Sequence, residues 1–334
     1  MSTTAGIGGN NWVYVVPETT YGTYIDPATG GGAWVPVLSE NLVYTTTNYY
    51  SKQIRQQTID SDVEASYYHI AGDIVMEVDA NYMPYFLYAS RHTVVKTGSG
   101  PYVYSASPAS FGSTYPGGTA PGVSITVDRN GNGFGYSGCV VTKWMFEITD
   151  GVLRVTMSIL GLAEQLPAGL GSPTWLAPSL FGATAHRIFE DTAGATPTFA
   201  TPATNFNGFT ATFDYNGAPQ NRIVANRAAT FISYGETAAS YDTELDFLDR
   251  TDYDDFVAVT TRSIKMESVK PTATAWASVT EGFRIIFYNA AFDAYEVDTT
   301  DIGTLVMAKV TGHGLQQTGG VPFVMECTSA LSLS

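Results

Sequence analysis

Apolar and polar positions alternate most cleanly over residues 71–89, AGDIVMEVDANYMPYFLYA. Ile74, Met76 and Val78 interleave with Asp73, Val75, Glu77 and Asp79. That is the period-2 pattern of a strand with one buried face and one wet, acidic face. A spaced aromatic run, Tyr82, Tyr85 and Phe86, follows and fits a short helix laid on a sheet. The same succession returns at 239–259, ASYDTELDFLDRTDYDDFVAV, where Thr243, Leu245 and Phe247 alternate with Asp242, Glu244 and Asp246 before Tyr253 and Phe256.

Around these two stretches the pattern predicts further strands in matching order. In the first half they fall at 33–47 and, as a closing hairpin, at 139–150 and 152–165, turning at Asp150-Gly151. In the second half the opening strand begins the stretch 207–227, and the closing hairpin falls at 278–300 and 304–318. VTMSILGLAEQ and VMAKVTGHGLQQ close the two halves in similar fashion. Each opening strand runs into a polar, cation-bearing loop: 48–62 holds Lys52 and Arg55, and 216–227 holds Arg222 and Arg227. The repeat is far longer than a solenoid unit, so it reads as duplication of a whole domain. The predicted organisation is an N-terminal arm (1–34), a first domain (35–165), a Pro/Gly/Ala/Thr-rich linker with one connecting strand (166–204) and a second domain (205–334). The predicted fold class is all-β, with one short helix per repeat and two tandem β-sandwiches.

Composition supports strands and turns: 21 Tyr, 17 Phe and 33 Gly among 334 residues, with 44% hydrophobic residues. Charge changes the functional picture. With 31 acidic against 16 basic residues the formal net is −15, which disfavours groove binding to nucleic acid. Such a balance serves solubility, or makes a surface that must not hold a polyanion. Two cysteines, Cys139 and Cys327, cannot frame a fold this long and are expected as buried thiols. The opening MSTTAGIGGNNW has neither the basic nor the apolar region of a signal peptide, and no apolar run is long enough to span a membrane, so none of either is expected.

Catalytic patterns are missing. The chain contains no GxSxG, HExxH, Walker A or CxxC sequence. His69, His92, His186 and His313 lack ligand spacing. DRNGNG at 128–133 starts like a calcium loop, but Cys139 occupies the position of the required acid, so a hairpin turn is expected. Asp252, Asp254 and Asp255 fit the acidic start of a helix. Neither enzyme, metal nor cofactor is expected.

The order of features resembles the major tail tube proteins of long-tailed bacteriophages. The opening VVPETTYGTYIDPATGGGAWVPVLSENL leads to a polar Arg-bearing loop, then GDIVMEVD, the helix YMPYFLYAS and a late hairpin. The resemblance implies a β-sandwich with a flanking helix and a long loop, whose copies join edge to edge through an inter-subunit β-barrel into rings that stack as a tube. It also implies a virion tail protein made in the host cytoplasm. Its partners would be copies of itself, a tape-measure protein, tail-terminator and distal tail proteins, and transiting DNA that it does not bind specifically. On that reading Asp73, Glu77, Asp79, Asp242, Glu244 and Asp246 are the candidates for an acidic lumen, although the wet face of an ordinary sandwich accounts for them equally. Lys52, Arg55, Arg222 and Arg227 are the candidates for ring stacking. Two tube domains per chain imply a trimeric, pseudo-hexameric ring, with a hexamer as the alternative. Rival readings are a carbohydrate- or receptor-binding β-sandwich, which would use the Tyr and Trp content for stacking, and a glycan-cleaving protein using paired carboxylates.

Overall fold

Alternation of buried and wet positions, with very few helix-period segments, makes this chain a succession of strands. The computed structural model describes residues 12–52, 62–90, 92–108, 122–194, 196–223, 226–248, 250–270, 276–298, 306–316 and 320–333. The first half opens with β1 (Trp12–Pro17), β2 (Ala33–Val35), β3 (Ser39–Glu40), β4 (Val43–Tyr50) and β5 (Val63–Glu77). Helix α1 (Met83–Leu87) precedes β6 (His92–Thr97), β7 (Tyr102–Pro108) and β8 (Val123–Arg129). The half closes with β9 (Asn132–Thr149), β10 (Val152–Gly161) and β11 (Ala163–Gln165). The second half holds β12 (His186–Thr192), β13 (Phe206–Asp214), β14 (Ala218–Gln220), β15 (Phe231–Ser233) and β16 (Ala238–Asp246). After α2 (Thr251–Val257) come β17 (Arg262–Val269), β18 (Gly282–Asp298), β19 (Met307–Gly314) and β20 (Phe323–Ser329).

One antiparallel sheet runs through both halves in the order β4, β5, β10, β9, β13, β16, β19, β18, with β3 continuing the line of β4 along β5. Each half contributes four strands in the same spatial order, and the β9–β13 ladder splices them. A second layer covers the inner face. Over the first half it is β2–β1–β8–β9–β11; over the second it is β12–β17–β18–β20–β7–β6. The long strands β9 and β18 serve both layers, bending from one to the other as corner strands of a sandwich do. At the bend of β9, Gly138 has φ +60, and a Cβ there would lie 2.7 Å from Leu162. Only glycine meets both demands without strain.

Among the described residues the largest apolar core lies between the layers and crosses the splice, taking in Val13, Ile74, Trp144, Phe146, Phe213, Met266, Phe283 and Phe323, with three smaller clusters beside it. The segment expected as an outlying arm is therefore partly core: β1 pairs with six residues of β8, and Val13 and Val15 are fully buried. Residues 166–204 are more than a connection. β12 pairs with β17 across seven positions, and the stretch before it packs on the α1 region through Asn81 Nδ2 to the Ala177 carbonyl (2.9 Å) and the Leu176 N–H to the Tyr82 hydroxyl (2.9 Å). Helix α1 is buried along its whole length, whereas α2 rests its Tyr253 and Phe256 rings on Tyr295 of β18. The acids of α2 meet a cation: Arg262 binds Asp252 (2.8 Å), Asp255 (2.5 Å) and Glu190 (3.2 Å). DRNGNG is the β8–β9 turn, with Asp128 Oδ1 accepting the Gly131 N–H at 2.6 Å. Both cysteines are buried and free.

His92 ties the halves inside the core. Its Nδ1 shares a hydrogen bond with Ser90 Oγ (2.7 Å), and its Nε2 shares one with the Tyr215 hydroxyl (2.5 Å) beyond the end of β13. Burial pushes its pKa down to about 3. The unfolded chain therefore binds a proton below about pH 6.5 that the folded chain refuses, so this contribution is complete above pH 6.5 and declines as pH falls. Between pH 7 and pH 5 the loss from this one group is about 2 kcal/mol. Urea midpoints at the two pH values should show it, and His92→Gln, though less stable at pH 7, should show a distinctly smaller drop. Equal drops in both chains would contradict it.

Candidate functional site

The outer face of the eight-strand sheet is built by register. Directly opposed residues of an antiparallel pair lie on the same side. Arg154 on β10 opposes Glu77 on β5 and Glu147 on β9. Lys309 on β19 opposes Glu244 on β16 and Glu296 on β18. The two halves thus repeat one motif, a cation flanked on both neighbouring strands by glutamate. Between them Glu147 opposes Thr210, and Thr210 opposes Asp242, so the same face continues across the β9–β13 splice. Asp73 opposes Ser158, which opposes Lys143, which opposes Asp214.

From β5 to Glu296 of β18 the ladders place eight carboxylates (Asp73, Glu77, Glu147, Asp214, Asp242, Glu244, Asp246 and Glu296) with three cations (Lys143, Arg154 and Lys309), a net of −5. None of these side chains is buried, while the alternate positions Ile74, Met76, Trp144, Phe146, Tyr241 and Leu245 are. The acids are held by light contacts: Asp242 accepts from Thr311 Oγ1 (2.8 Å), Asp246 from Asn207 Nδ2 (2.6 Å), and Lys309 Nζ stands 3.9 Å from Glu244. A shallow depression of about 340 Å³ lies where β9, β13, β16 and β19 meet, among Glu147, Thr210, Asp242, Glu244 and Lys309.

Five of the six acids expected together, Asp73, Glu77, Asp242, Glu244 and Asp246, share this face. Asp79 does not. It lies beyond the end of β5, 1% exposed, where Oδ1 accepts the Asn81 N–H and Oδ2 the Ser179 N–H, each at 2.7 Å. Burial raises its pKa, and those two backbone N–H groups oppose the rise. Its work is to anchor the segment leading to β12, because the strand period stops at Val78 and the next carboxylate turns inward to satisfy backbone donors. The wet face also contains residues outside the expected set: Lys143, Glu147, Arg154, Asp214, Glu296 and Lys309. Their signal is cross-strand pairing, which needs the register.

Of the loops expected at ring contacts, 216–227 is held against β5 through Arg227, while residues 53–61 of the other lie outside the described residues. The β4–β5 hairpin extends past the sheet to Ser51–Asp62, with Lys52 exposed near its end; Arg55 lies outside the described residues. The second loop is pinned to this hairpin by Tyr68 N–H to the Arg227 carbonyl, Ala229 N–H to the Tyr68 carbonyl and Arg227 Nε to the Ser66 carbonyl, each at 2.9 Å. Arg222 lies over the Phe231 ring, 5.2 Å from its centroid.

Much of the aromatic content is spent on packing rather than on display, with Trp144, Tyr82, Tyr104, Tyr136, Tyr215 and Tyr241 fully buried. Among the described residues no cluster of His, Cys, Asp or Glu is arranged to hold a metal, and no helix is long and apolar enough to cross a membrane.

An all-β sandwich in tandem, presenting one unbroken acidic sheet face and no catalytic constellation among its described residues, has the form of a structural assembly protein. Residues 10–302 match the family model described as phage tail tube protein, and the chain belongs to that family. Membership makes it a structural protein of the virion tail, one that self-assembles into a tube together with other tail proteins. A search of curated proteins returns no match.

Proposed function

We propose that three copies of this chain close into a ring, that the wet acidic face lines its bore, and that stacked rings conduct DNA during ejection. The observation that carries this is the single sheet, in which two four-strand units of identical order are already joined edge to edge. Closing a sheet removes its edges. With strands about 4.8 Å apart and tilted by about 40°, two chains of eight strands give a barrel roughly 32 Å between backbones, three give roughly 48 Å and six roughly 95 Å. After side chains are allowed for, two chains leave too little room for a DNA duplex, and six leave far more than it fills. Three is the fitting number. A net of −5 per chain then gives transiting phosphate no cationic track to grip.

Lys52, Arg222 and Arg227, gathered at one end of the sheet, are proposed to meet the neighbouring ring, with Arg55 in the same loop. A tape-measure protein inside the tube and tail-terminator and distal tail proteins at its ends complete the set of partners. Image classification of purified tubes viewed end-on tests the stoichiometry: three chains per ring are expected, and six would overturn it.

A further inference from the structure

Register also fixes the outward side of the second layer. Ile188, Met266, Ile285 and Met325 enter the core, so the alternate positions face away from it and from the acidic sheet beyond. There Arg187 opposes Glu267, Glu267 opposes Arg284 and Arg284 opposes Glu326, an alternating row across β12, β17, β18 and β20. In the next row Phe189 opposes Lys265, which opposes Ile286. An outward side should be wet, yet β17 is buried from Ser263 to Val269. Lys265 is 7% exposed and Glu267 only 2%. A cavity of about 680 Å³ lies over these strands, with Phe199, Trp276 and Tyr288 in its walls. Small-ligand sites measure about 300–1,000 Å³.

Three features of this cavity are costly without an occupant. The first is charge. Glu267 serves two cations, Arg187 Nη2 at 2.8 Å and Lys265 Nζ at 2.9 Å, while Arg284 pairs with Glu326. Three cations thus share two carboxylates, which leaves one unmatched positive charge in a chain whose net is −15. Buried ions are expensive unless fully paired. The second is Arg187 Nε, buried with no hydrogen-bond partner among the described residues, although an orphaned charged donor loses its solvation for nothing. The third is the backbone at Phe199, whose φ of +46 is an outlier for so bulky a residue. Asp191 Oδ2 holds it there, accepting the N–H groups of Thr198 (2.6 Å) and Phe199 (3.1 Å). The Phe199 ring is thereby set over Lys265, 5.0 Å from Nζ to the ring centroid. Strain of this kind gathers at ligand clamps.

We infer that this cavity binds an acidic saccharide through a single carboxylate. One unmatched charge suits a carboxylate rather than a doubly charged phosphate monoester, and the planar guanidinium of Arg187 matches a carboxylate in shape. Arg187 Nε donates to it, with Lys265 and Glu267 fixing the guanidinium from behind. Trp276, held by Arg284 at 4.2 Å from its ring centroid, gives the sugar ring an apolar wall. The hydroxyls of Thr196 and Tyr288, also in the lining, meet those of the sugar. This site goes beyond tube assembly and does not rest on it.

Calorimetric titration of the purified chain tests it with two pairs of ligands, cellobiouronate against cellobiose and sialyllactose against lactose. Each acid carries one carboxylate that its neutral counterpart lacks. At least one acid is expected to bind saturably and about 10- to 100-fold more tightly than its counterpart, the range of a hydrogen bond to a charged group. Arg187→Gln should bring that acid down to the level of the neutral sugar, and Trp276→Ala should weaken both. The paired sugars on the unmodified chain decide the matter where Arg187→Gln fails to fold. Neutral sugars bound as tightly as the acids, benzoate or a peptide with a free C-terminal carboxylate bound more tightly, or no saturable binding of either acid would overturn the inference. Micrographs of the same preparation score assembly separately. Tubes without sugar binding would overturn this site alone, and sugar binding without rings or tubes would overturn the tube function alone.

Discussion

Tubes built from a chain carrying Asp73→Lys, Asp242→Lys and Asp246→Lys should assemble at unchanged diameter and then hold on to DNA. The three sites are chosen by register. Asp73 opposes Ser158, Asp242 opposes Thr210 and Thr311, and Asp246 opposes Met307. None of the new lysines therefore faces Arg154 or Lys309 directly. Each substitution moves the face by +2, taking it from −5 to +1 per chain, and a three-chain ring gains nine ammonium groups around one bore. Phosphate binding by counterion release follows the number of phosphates neutralised. If six to ten phosphates are engaged, affinity should fall by about 10³ to 10⁵ between 50 and 200 mM salt. Wild-type tubes should not co-sediment with duplex DNA at either salt; the variant should at the lower and release it at the higher. Particles carrying the variant should eject slowly at low salt and recover as salt rises. Intact variant tubes that eject like wild type at low salt would show that this face does not line the bore.

The parts of this design that were legible in the sequence are those set by spacing within one strand. Ile74, Met76 and Val78 against Asp73 and Glu77 give strand, buried side and wet side at once, and Tyr241, Thr243 and Leu245 against Asp242 and Glu244 repeat it. The recurrence of that pattern in the second half was legible for the same reason. What could not be read was anything fixed between strands. Arg154 looks like an ordinary polar residue of β10 until β5 and β9 place Glu77 and Glu147 on either side of it. Asp79 continues the alternation by one step and is nevertheless buried, because backbone donors 2 and 100 residues away need its oxygens. β1 looks peripheral from its Gly- and Thr-rich surroundings, yet β8, more than a hundred residues on, draws Val13 and Val15 into the core. Long-range pairing decides each of these cases, and a local pattern does not contain it.

The same pairing makes Trp144 the residue on which the union of the two halves should depend most. It is fully buried on β9, opposes Met157 on β10 and Phe213 on β13, and stacks on Phe146 at 5.6 Å with the planes 5° apart. Phe146 in turn packs on Phe283 of the second layer, 5.1 Å away, so one aromatic column spans the splice. Trp144→Ala removes the head of that column and should cost about 3–5 kcal/mol. Trp144→Phe should cost less than the alanine change, because the phenyl ring keeps the stack and the buried indole Nε1 has no hydrogen-bond partner among the described residues. Guanidinium unfolding followed by far-ultraviolet circular dichroism measures both. A single transition is expected in the wild type, since no boundary in the core separates the halves. Two transitions, or an alanine variant within about 1 kcal/mol of wild type, would mean that the halves fold as separate units and that the β9–β13 ladder is a contact between them. An alanine variant that unfolds early and in one step would place the splice at the centre of the cooperative unit.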